Sequence, residues 1–434
     1  MFSFCKEDKK VKLGLILIEA IFILVALISI FKHGNSTLLG SLEKFDNDDV
    51  KYIRSAWNLV ENGVLSYESV SKPTVYIMPG LTFILSFFVI VFGKFQAIVA
   101  FRIFQVMLQV CSLNLLFFIG RKVFNSKVAL ITCAINSIYI VEIYAANLIL
   151  MEVTFKFLFL LLIYLSIYAL ETKKTKYYAL AGIVWSLGCF FKPTIAAYPL
   201  VILIVWINNK YKLKEMVKYA SIVGGIFCLL MSPWWIRNYN DFNMFIPFTA
   251  SSGNPFLQGT FVNYDQSEGW GVDYKASENA IQSNEYEIEA GIERLKIYGT
   301  KEPLKFAYWY TLGKTFYFWY TPFYWSKYIG VNYLWAFIEH YFILITAIIG
   351  IANNGKAKKW NLEKQIILLS IIVMNVIYLP YFTCSRYCYP LMPLMIIFSG
   401  DYVHYRICRR RYRDSKARKR RGFINGKETI DTSC

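Results

Sequence analysis

Asp48 and Asp49 stand side by side in the segment Asp46-Asn47-Asp48-Asp49-Val50-Lys51-Tyr52. Two carboxylates this close repel each other. One pKa rises toward the working range, and such a group can take a proton from an acceptor hydroxyl. The same residues also suit the start of a helix. Apolar residues recur at Val50, Ile53, Trp57 and Val60, which is helical spacing. Asp46 or Asn47 makes a good N-cap, Asp48 and Asp49 suit the positive end of the helix dipole, and Asn62-Gly63 makes a stop. The local sequence leaves both readings open, cap and base. Glu142 and Glu152 lie in two long apolar runs, where an ionisable group marks either a functional site or a structural contact with a satisfied partner. Lys192, Arg237 and Arg386 each fall at the end of an apolar run. Together they could hold an anion such as a lipid phosphate, or singly they could snorkel to head groups.

Other chemistries lack their residues. Only three histidines occur, His33, His340 and His404, and none is near another in sequence, which argues against a zinc site or a Ser-His-Asp triad. The nine cysteines contain no CxxC pair. Cys384 and Cys388, a helical turn apart, read as thiols buried between helices rather than as metal ligands. No Walker loop, HExxH or GxSxG is present.

The elements that must position these residues are set by a membrane. Of the 434 residues 56% are hydrophobic and 18% charged, too little polar surface for a soluble chain of this size. Leu13–Phe31, Phe95–Ile119, Val128–Ala146 and Leu148–Leu170 approach or exceed the ~20 residues a helix needs to cross the hydrocarbon core. No alternating ten-residue pattern suggests a barrel. The first run follows Lys6, Lys9, Lys10 and Lys12 and reads as an uncleaved span. A net charge of +18 fits the positive-inside rule better than nucleic-acid binding. Segments 6–12, 121–127, 171–178, 208–218, 353–365 and 406–421 are strongly basic, whereas loops 32–75 and 236–303 carry more acids than bases. The first set is expected in the cytoplasm and the second outside, with both termini inside.

Parity between these loops has consequences. Only one of the two apolar runs between 75 and 121 can cross, so Phe95–Ile119 should span and Tyr76–Phe92 should lie along the outer interface or dip back. The run between 178 and 208 breaks at Lys192-Pro193 and should form two short legs, with Lys192 near the outer end. Further spans are expected near 219–235, 331–351, 366–383 and 387–404. Trp309, Trp319, Tyr320 and Trp325 would form an interfacial belt. The basic tail, Arg409-Arg410-Arg411 and Lys419-Arg420-Arg421, should meet anionic lipid. The fold class expected is an all-α polytopic membrane helix bundle of about 10–12 transmembrane helices, with amphipathic juxtamembrane helices and a small extracytoplasmic loop region. Its divisions are an N-terminal module 1–235 that includes the first outer loop 32–75, an extracytoplasmic loop 236–303, C-terminal helices 304–405 and a tail 406–434. No solenoid or inverted repeat is visible.

The pattern as a whole resembles the C-type polytopic glycosyltransferases that use polyprenyl-phosphate sugars, in the branch of protein O-mannosyltransferases and lipid A aminoarabinose transferases. Asp48-Asp49-Val50-Lys51-Tyr52 resembles that family's Asp-Glu-x-x-Tyr helix, with Asp49 where Glu is usual. Pro79-Gly80 through Phe92-Gly93 resembles its juxtamembrane helix, and Arg121-Lys122-Val123-Phe124 its cytoplasmic turn. Met151-Glu152 stands where the family has Ser-Glu or Thr-Asp, and Lys192-Pro193-Thr194 where it has Arg-Pro-Thr. Pro233-Trp234-Trp235-Ile236-Arg237-Asn238-Tyr239 resembles Pro-Trp-x-x-Arg-Asn-Tyr, and Arg386-Tyr387 with Pro390 and Pro393 resembles a late Arg-Tyr-x-x-Pro-x-x-Pro. Met78 replaces the Lys that the aminoarabinose branch carries before its juxtamembrane Pro; Lys72 is several residues upstream.

The resemblance implies a membrane glycosyltransferase in which Asp48, Asp49 and Glu152 serve catalysis. Asp48 would act as base, with Asp49 or Glu152 orienting the acceptor. Lys192, Arg237 and Arg386 would hold the donor phosphate, and direct displacement would invert the anomeric centre. The expected partners are a polyprenyl-phosphate-linked sugar, a glycan, lipid or protein acceptor that loop 236–303 helps to choose, and membrane lipids, with no nucleic acid. No cofactor is required, though a divalent metal on Asp48, Asp49 and Glu152 is conceivable. Different classes remain as alternatives: a flippase or transporter for a lipid-linked saccharide, an oligosaccharide ligase, or a non-catalytic scaffold.

Overall fold

The structure, a computed structural model, describes residues 7–267, 271–273, 277, 279–357 and 360–420, without the side chains of 414–420. The end of the basic tail from Arg421 onward lies outside the described residues, as do parts of loops 236–303 and 353–365. Among the described residues every named element is helical. The helices are α1 (Lys9–His33), α2 (Asp48–Asn62), α3 (Gly80–Phe92), α4 (Gln96–Val123), α5 (Ser126–Ile138), α6 (Ile140–Asn147), α7 (Glu152–Thr172), α8 (Thr175–Cys189) and α9 (Pro199–Asn208). They continue with α10 (Leu213–Phe242), α11 (Gly253–Gly259), α12 (Ala280–Lys301), α13 (Pro303–Tyr308), α14 (Lys314–Trp319), α15 (Tyr333–Lys356), α16 (Leu362–Tyr378), α17 (Ser385–Cys388) and α18 (Met392–Arg420).

By length and composition α1, α4, α7, α10 and α15 can each cross a membrane, and α5 with α6, bent by 56°, is either a sixth, broken span or a re-entrant pair. Lipid offers no partner for a backbone amide, so a bend at this depth must find one in the protein. Here the Ile140 amide donates to Glu339 Oε2 at 3.0 Å. The Tyr139 hydroxyl lies 2.9 Å from His340 Nδ1, and His340 Nε2 lies 2.7 Å from the Trp319 carbonyl. Helix α15 thus fixes the bend. α3 is only 13 residues long, in keeping with an interfacial or re-entrant course, and α8 and 193–208 form the two short legs.

The boundary between α6 and α7 decides where Glu152 stands. A helix end leaves carbonyls without intrahelical donors, and α4 supplies them from a polar stripe at helical spacing. Arg102 Nε donates to the Asn147 carbonyl at 2.9 Å, and Gln105 Nε2 to those of Ala146 and Leu148 at 3.0 and 2.7 Å. One turn further on, Gln109 Nε2 donates to the Glu142 carbonyl at 2.7 Å. The turn 148–151 is held in this way, and α7 begins at Glu152.

Several expected positions shift. α16 ends at Tyr378 rather than 383, and the last long helix starts at Met392 rather than 387, because Ser385–Leu391 forms a broken turn of α17 and a 3-10 segment. Trp309 is fully enclosed and donates to the Gly259 carbonyl at 3.0 Å, so it packs the outer region instead of joining a lipid-facing belt. Trp325 is exposed.

The head of α3 abuts the end of α8. The Gly80 amide donates to the Phe190 carbonyl at 2.9 Å, and a Cβ on Gly80 would come within 2.6 Å of that oxygen. The contact ties the juxtamembrane helix to the turn that carries Lys192. Gly80→Ala should therefore lower the thermal midpoint in detergent, by an overpacking cost of about 1–3 kcal/mol. Gly224→Ala, whose new methyl would meet nothing within 4 Å, should leave the midpoint unchanged or raise it.

Candidate active site

Asn47 caps α2, accepting from the Asp48 amide at 2.8 Å, and Gly63 closes it in the left-handed region at φ 69°. The helix start presents the Asp48 carboxylate, whose side chain is 46% exposed, to Arg386. Arg386 NH1 donates to Asp48 Oδ2 at 2.6 Å, and its Nε donates to Glu152 Oε1 at 2.5 Å. Lys192 Nζ lies 3.1 Å from the same Glu152 oxygen. Two acids and two bases thus form one chain, Asp48–Arg386–Glu152–Lys192, drawn from the first outer loop, α7, the α8–α9 break and the 385–391 turn. Glu152 is enclosed, and its Oε2 has no hydrogen-bond partner. Each carboxylate engages a different guanidinium nitrogen, a geometry that the point charge of a lysine cannot reproduce.

Sequence alone grouped more residues than the structure brings together. Asp49 is turned away. It is buried, and its carboxylate accepts from the Leu39 amide at 2.6 Å and from its neighbour Val50 at 2.8 Å. Burial holds that carboxyl above the ordinary aspartate range despite these donors. Asp49 folds the first loop onto α2, so the adjacent carboxylates do not act as a pair. Arg237 is also elsewhere. Its Nε is 2.8 Å from Asp241 Oδ2, and its NH1 donates to the Thr74 carbonyl at 2.8 Å. It lines a separate groove of about 540 Å³ with Leu59, Pro79, Phe83 and Trp234. Glu142 lies deeper, paired with Lys156, both fully enclosed. Lys72 lines another cavity.

A metal on Asp48, Asp49 and Glu152 does not fit this arrangement. Asp49 does not reach the others, and both remaining carboxylates are held by Arg386. Among the described residues no group of three or more His, Cys, Asp or Glu could hold a metal ion.

The ion chain borders a cavity of about 490 Å³. Met151, Ala196, Ala197, Ile377 and Tyr387 line it as well, together with Thr249, Ser251 and Pro255 of segment 236–303. Tyr378 and Tyr387 stack at 4.8 Å, the Tyr387 ring lies under Lys192 at 5.3 Å, and the Tyr378 hydroxyl is 3.0 Å from Thr194 Oγ1. Tyr67 and Tyr76 stack at 5.7 Å and line both this space and a second cavity of about 920 Å³. The Tyr67 hydroxyl donates to Asp48 Oδ1 at 2.7 Å. Burial and the neighbouring Asp48 carboxylate push the Tyr67 phenol far above its usual range, so it stays a donor. Sequence reasoning missed Tyr67, which carries no local signal. It also missed Lys156, which the rarity of charge at membrane depth could have flagged.

Comparison with known proteins adds the fold's relatives. Residues 71–236 match the family described as dolichyl-phosphate-mannose-protein mannosyltransferase, a stretch that holds Glu152, Lys192 and Pro79-Gly80 but neither Asp48 nor Arg386. ArnT from Cupriavidus metallidurans, solved with undecaprenyl phosphate bound, superposes with a TM-score of 0.57 at 11% identity, covering 89% of this chain and 60% of that one. The apo oligosaccharyltransferase of Archaeoglobus fulgidus gives a TM-score of 0.57 at 13% identity, over 96% of this chain and 52% of that one. This chain has the fold of the C-type polytopic glycosyltransferases. A further structure with that fold is oligosaccharyltransferase AglB from Archaeoglobus fulgidus, solved with an inhibitory peptide and a dolichol-phosphate. It gives a TM-score of 0.52 at 13% identity over 95% and 52% of the two chains. The chain thus spans well under two thirds of the length of these C-type structures. A search of curated proteins found no match.

The ion chain makes the roles of its members separable. Removing the Glu152 charge leaves Arg386 and Lys192 facing each other without compensation, at a cost of about 3–5 kcal/mol for a broken buried pair. Glu152→Gln should therefore lower the thermal midpoint in detergent far more than Asp48→Asn, whose carboxylate is half-exposed. Equal losses would show that Glu152 is not the centre of the chain.

Proposed function

We propose that this protein transfers a sugar from a polyprenyl-phosphate donor to an acceptor hydroxyl at the extracytoplasmic face of the membrane. The observation that carries the reading is the chain Asp48–Arg386–Glu152–Lys192 on the wall of one cavity. A half-exposed carboxylate stands there within one guanidinium of an anion-binding pair. The undecaprenyl phosphate bound in ArnT and the dolichol-phosphate in AglB support a lipid-phosphate donor for a chain of this fold.

In this reading the donor enters sideways past Ala196, Ala197 and Ile377, and the acceptor descends from the second cavity past Tyr67 and Tyr76. The acceptor oxygen bonds to the anomeric carbon while Asp48 takes its proton. The bond from that carbon to the phosphate oxygen breaks, and its electron pair stays on the phosphate. Lys192 and Arg386 stabilise the charge that grows there. Glu152 keeps both cations in place when no phosphate is present, and Tyr67 aims Asp48. The displacement inverts the anomeric centre. No step is routed through a metal.

Asp48→Asn keeps the shape and removes the base. It should cost about 10²–10⁴-fold in transfer assayed in membranes, with expression unchanged. Full activity in that variant would overturn the base role and leave Asp48 only a helix-start residue. The sidedness is open to a separate measurement. In a cysteine-free background, Ser36→Cys should react with a membrane-impermeant maleimide added outside, and Lys127→Cys only after permeabilisation. The reverse pattern would place the site in the cytoplasm.

A further inference from the structure

We infer that the enclosed group Glu142, Lys156, Tyr389 and Gln109 is a positioning device that sets Arg386 against Glu152 and Asp48. The inference rests on the transfer reading above. Lys156 follows Glu152 by four residues on α7, and Tyr389 follows Arg386 by three in the 385–391 turn. In helical geometry such spacings put each second residue on the same face, one turn deeper. The two segments therefore meet at two levels. At the rim, Arg386 meets Glu152. One turn below, Lys156 Nζ donates to Glu142 Oε2 and to Gln109 Oε1. The Tyr389 hydroxyl donates to Glu142 Oε2 at 2.8 Å and accepts from Gln109 Nε2 at 3.0 Å. Lys156 also lies 5.1 Å from the centre of the Tyr389 ring.

Stability does not account for this lower level. Glu142 and Lys156 are both fully enclosed, and Glu142 Oε1 has no hydrogen-bond partner. An ion pair in such a place is commonly no more stable than well-packed apolar residues of the same volume. What the network does supply is register. The 385–391 turn is neither a full helix nor a strand, and a small rotation about its axis would carry Arg386 NH1 off Asp48. Tyr389, held by a charged carboxylate and an amide that are themselves anchored to α6 and α4, prevents that rotation. It links the active-site guanidinium to the α4 polar stripe that already fixes the start of α7.

The test uses the full chain. Tyr389→Phe deletes one hydroxyl and keeps the ring, and Glu142→Gln with Lys156→Met removes the charge pair as a unit. Tyr219→Phe, which deletes a buried hydroxyl that donates to the Lys173 carbonyl away from both levels, is the control. Tyr389→Phe and the double variant should lower kcat about 10- to 100-fold, the scale of a reacting group displaced by ~1 Å, with donor KM within about twofold. The control should lower the thermal midpoint comparably without changing kcat. Unchanged kcat in folded Tyr389→Phe overturns the inference, and so does an equal loss in Tyr219→Phe. A readout independent of catalysis separates this failure from failure of the transfer reading. The midpoint loss from Arg386→Met should shrink in the Tyr389→Phe background, since residues in one network couple. Strict additivity overturns the inference whether or not sugar is transferred.

Discussion

One oxygen of Glu152 is shared by the Arg386 guanidinium and the Lys192 ammonium, and the rest of the site is arranged around that sharing. Two cations are held within hydrogen-bond distance of one enclosed carboxylate. Without the carboxylate they would repel each other, and without the cations the carboxylate could not stay charged in that place. Arg386 then extends the constraint outward to Asp48. A residue in a surface helix is thereby tied to one near the end of the bundle, across more than three hundred positions of sequence.

Holding that point still takes more structure than the site itself. Lipid cannot satisfy a loose backbone group, so each break in a helix must be closed by side chains. The breaks needed here are many: the α5–α6 bend, the α6–α7 turn, the Lys192-Pro193 interruption and the 385–391 turn. Glu339 on α15 answers the first, Arg102, Gln105 and Gln109 on α4 answer the second, and Trp185 Nε1 donates to the Ile195 carbonyl beside the third. Each spends a polar side chain in the bundle, and each lets a charged residue stand where a continuous helix would have carried it past.

The sequence made the multi-pass helical fold and the helix that starts at Asp48 legible, because hydrophobic runs and capping residues are local signals. It also supplied four of the residues that form the ion chain. It mis-grouped Asp49 and Arg237, for different reasons. Adjacency in sequence says nothing about which way neighbours point on a helix start, and Asp49 turns to the Leu39 amide while Asp48 turns to Arg386. Arg237 lay at a fitting depth, but Asp241, one helical turn later, and the Thr74 carbonyl claim it. Tyr67 and Tyr389 were illegible because hydroxyl partners are set by tertiary packing. Lys156 was readable in principle as a charge in an apolar run.

The contact of Gly80 with the Phe190 carbonyl has a mechanical meaning. α3 carries Phe83, Phe87, Ile90 and Val91 on an exposed apolar face, a face suited to lipid. Its first residue leans on the backbone only two positions before Lys192, with no side chain between to absorb movement. The depth at which α3 rides in a bilayer is therefore in series with the position of that ammonium. A bilayer that thickens or thins around α3 strains the Lys192–Glu152 contact directly, and the acyl-chain length of the host membrane becomes a parameter of the protein.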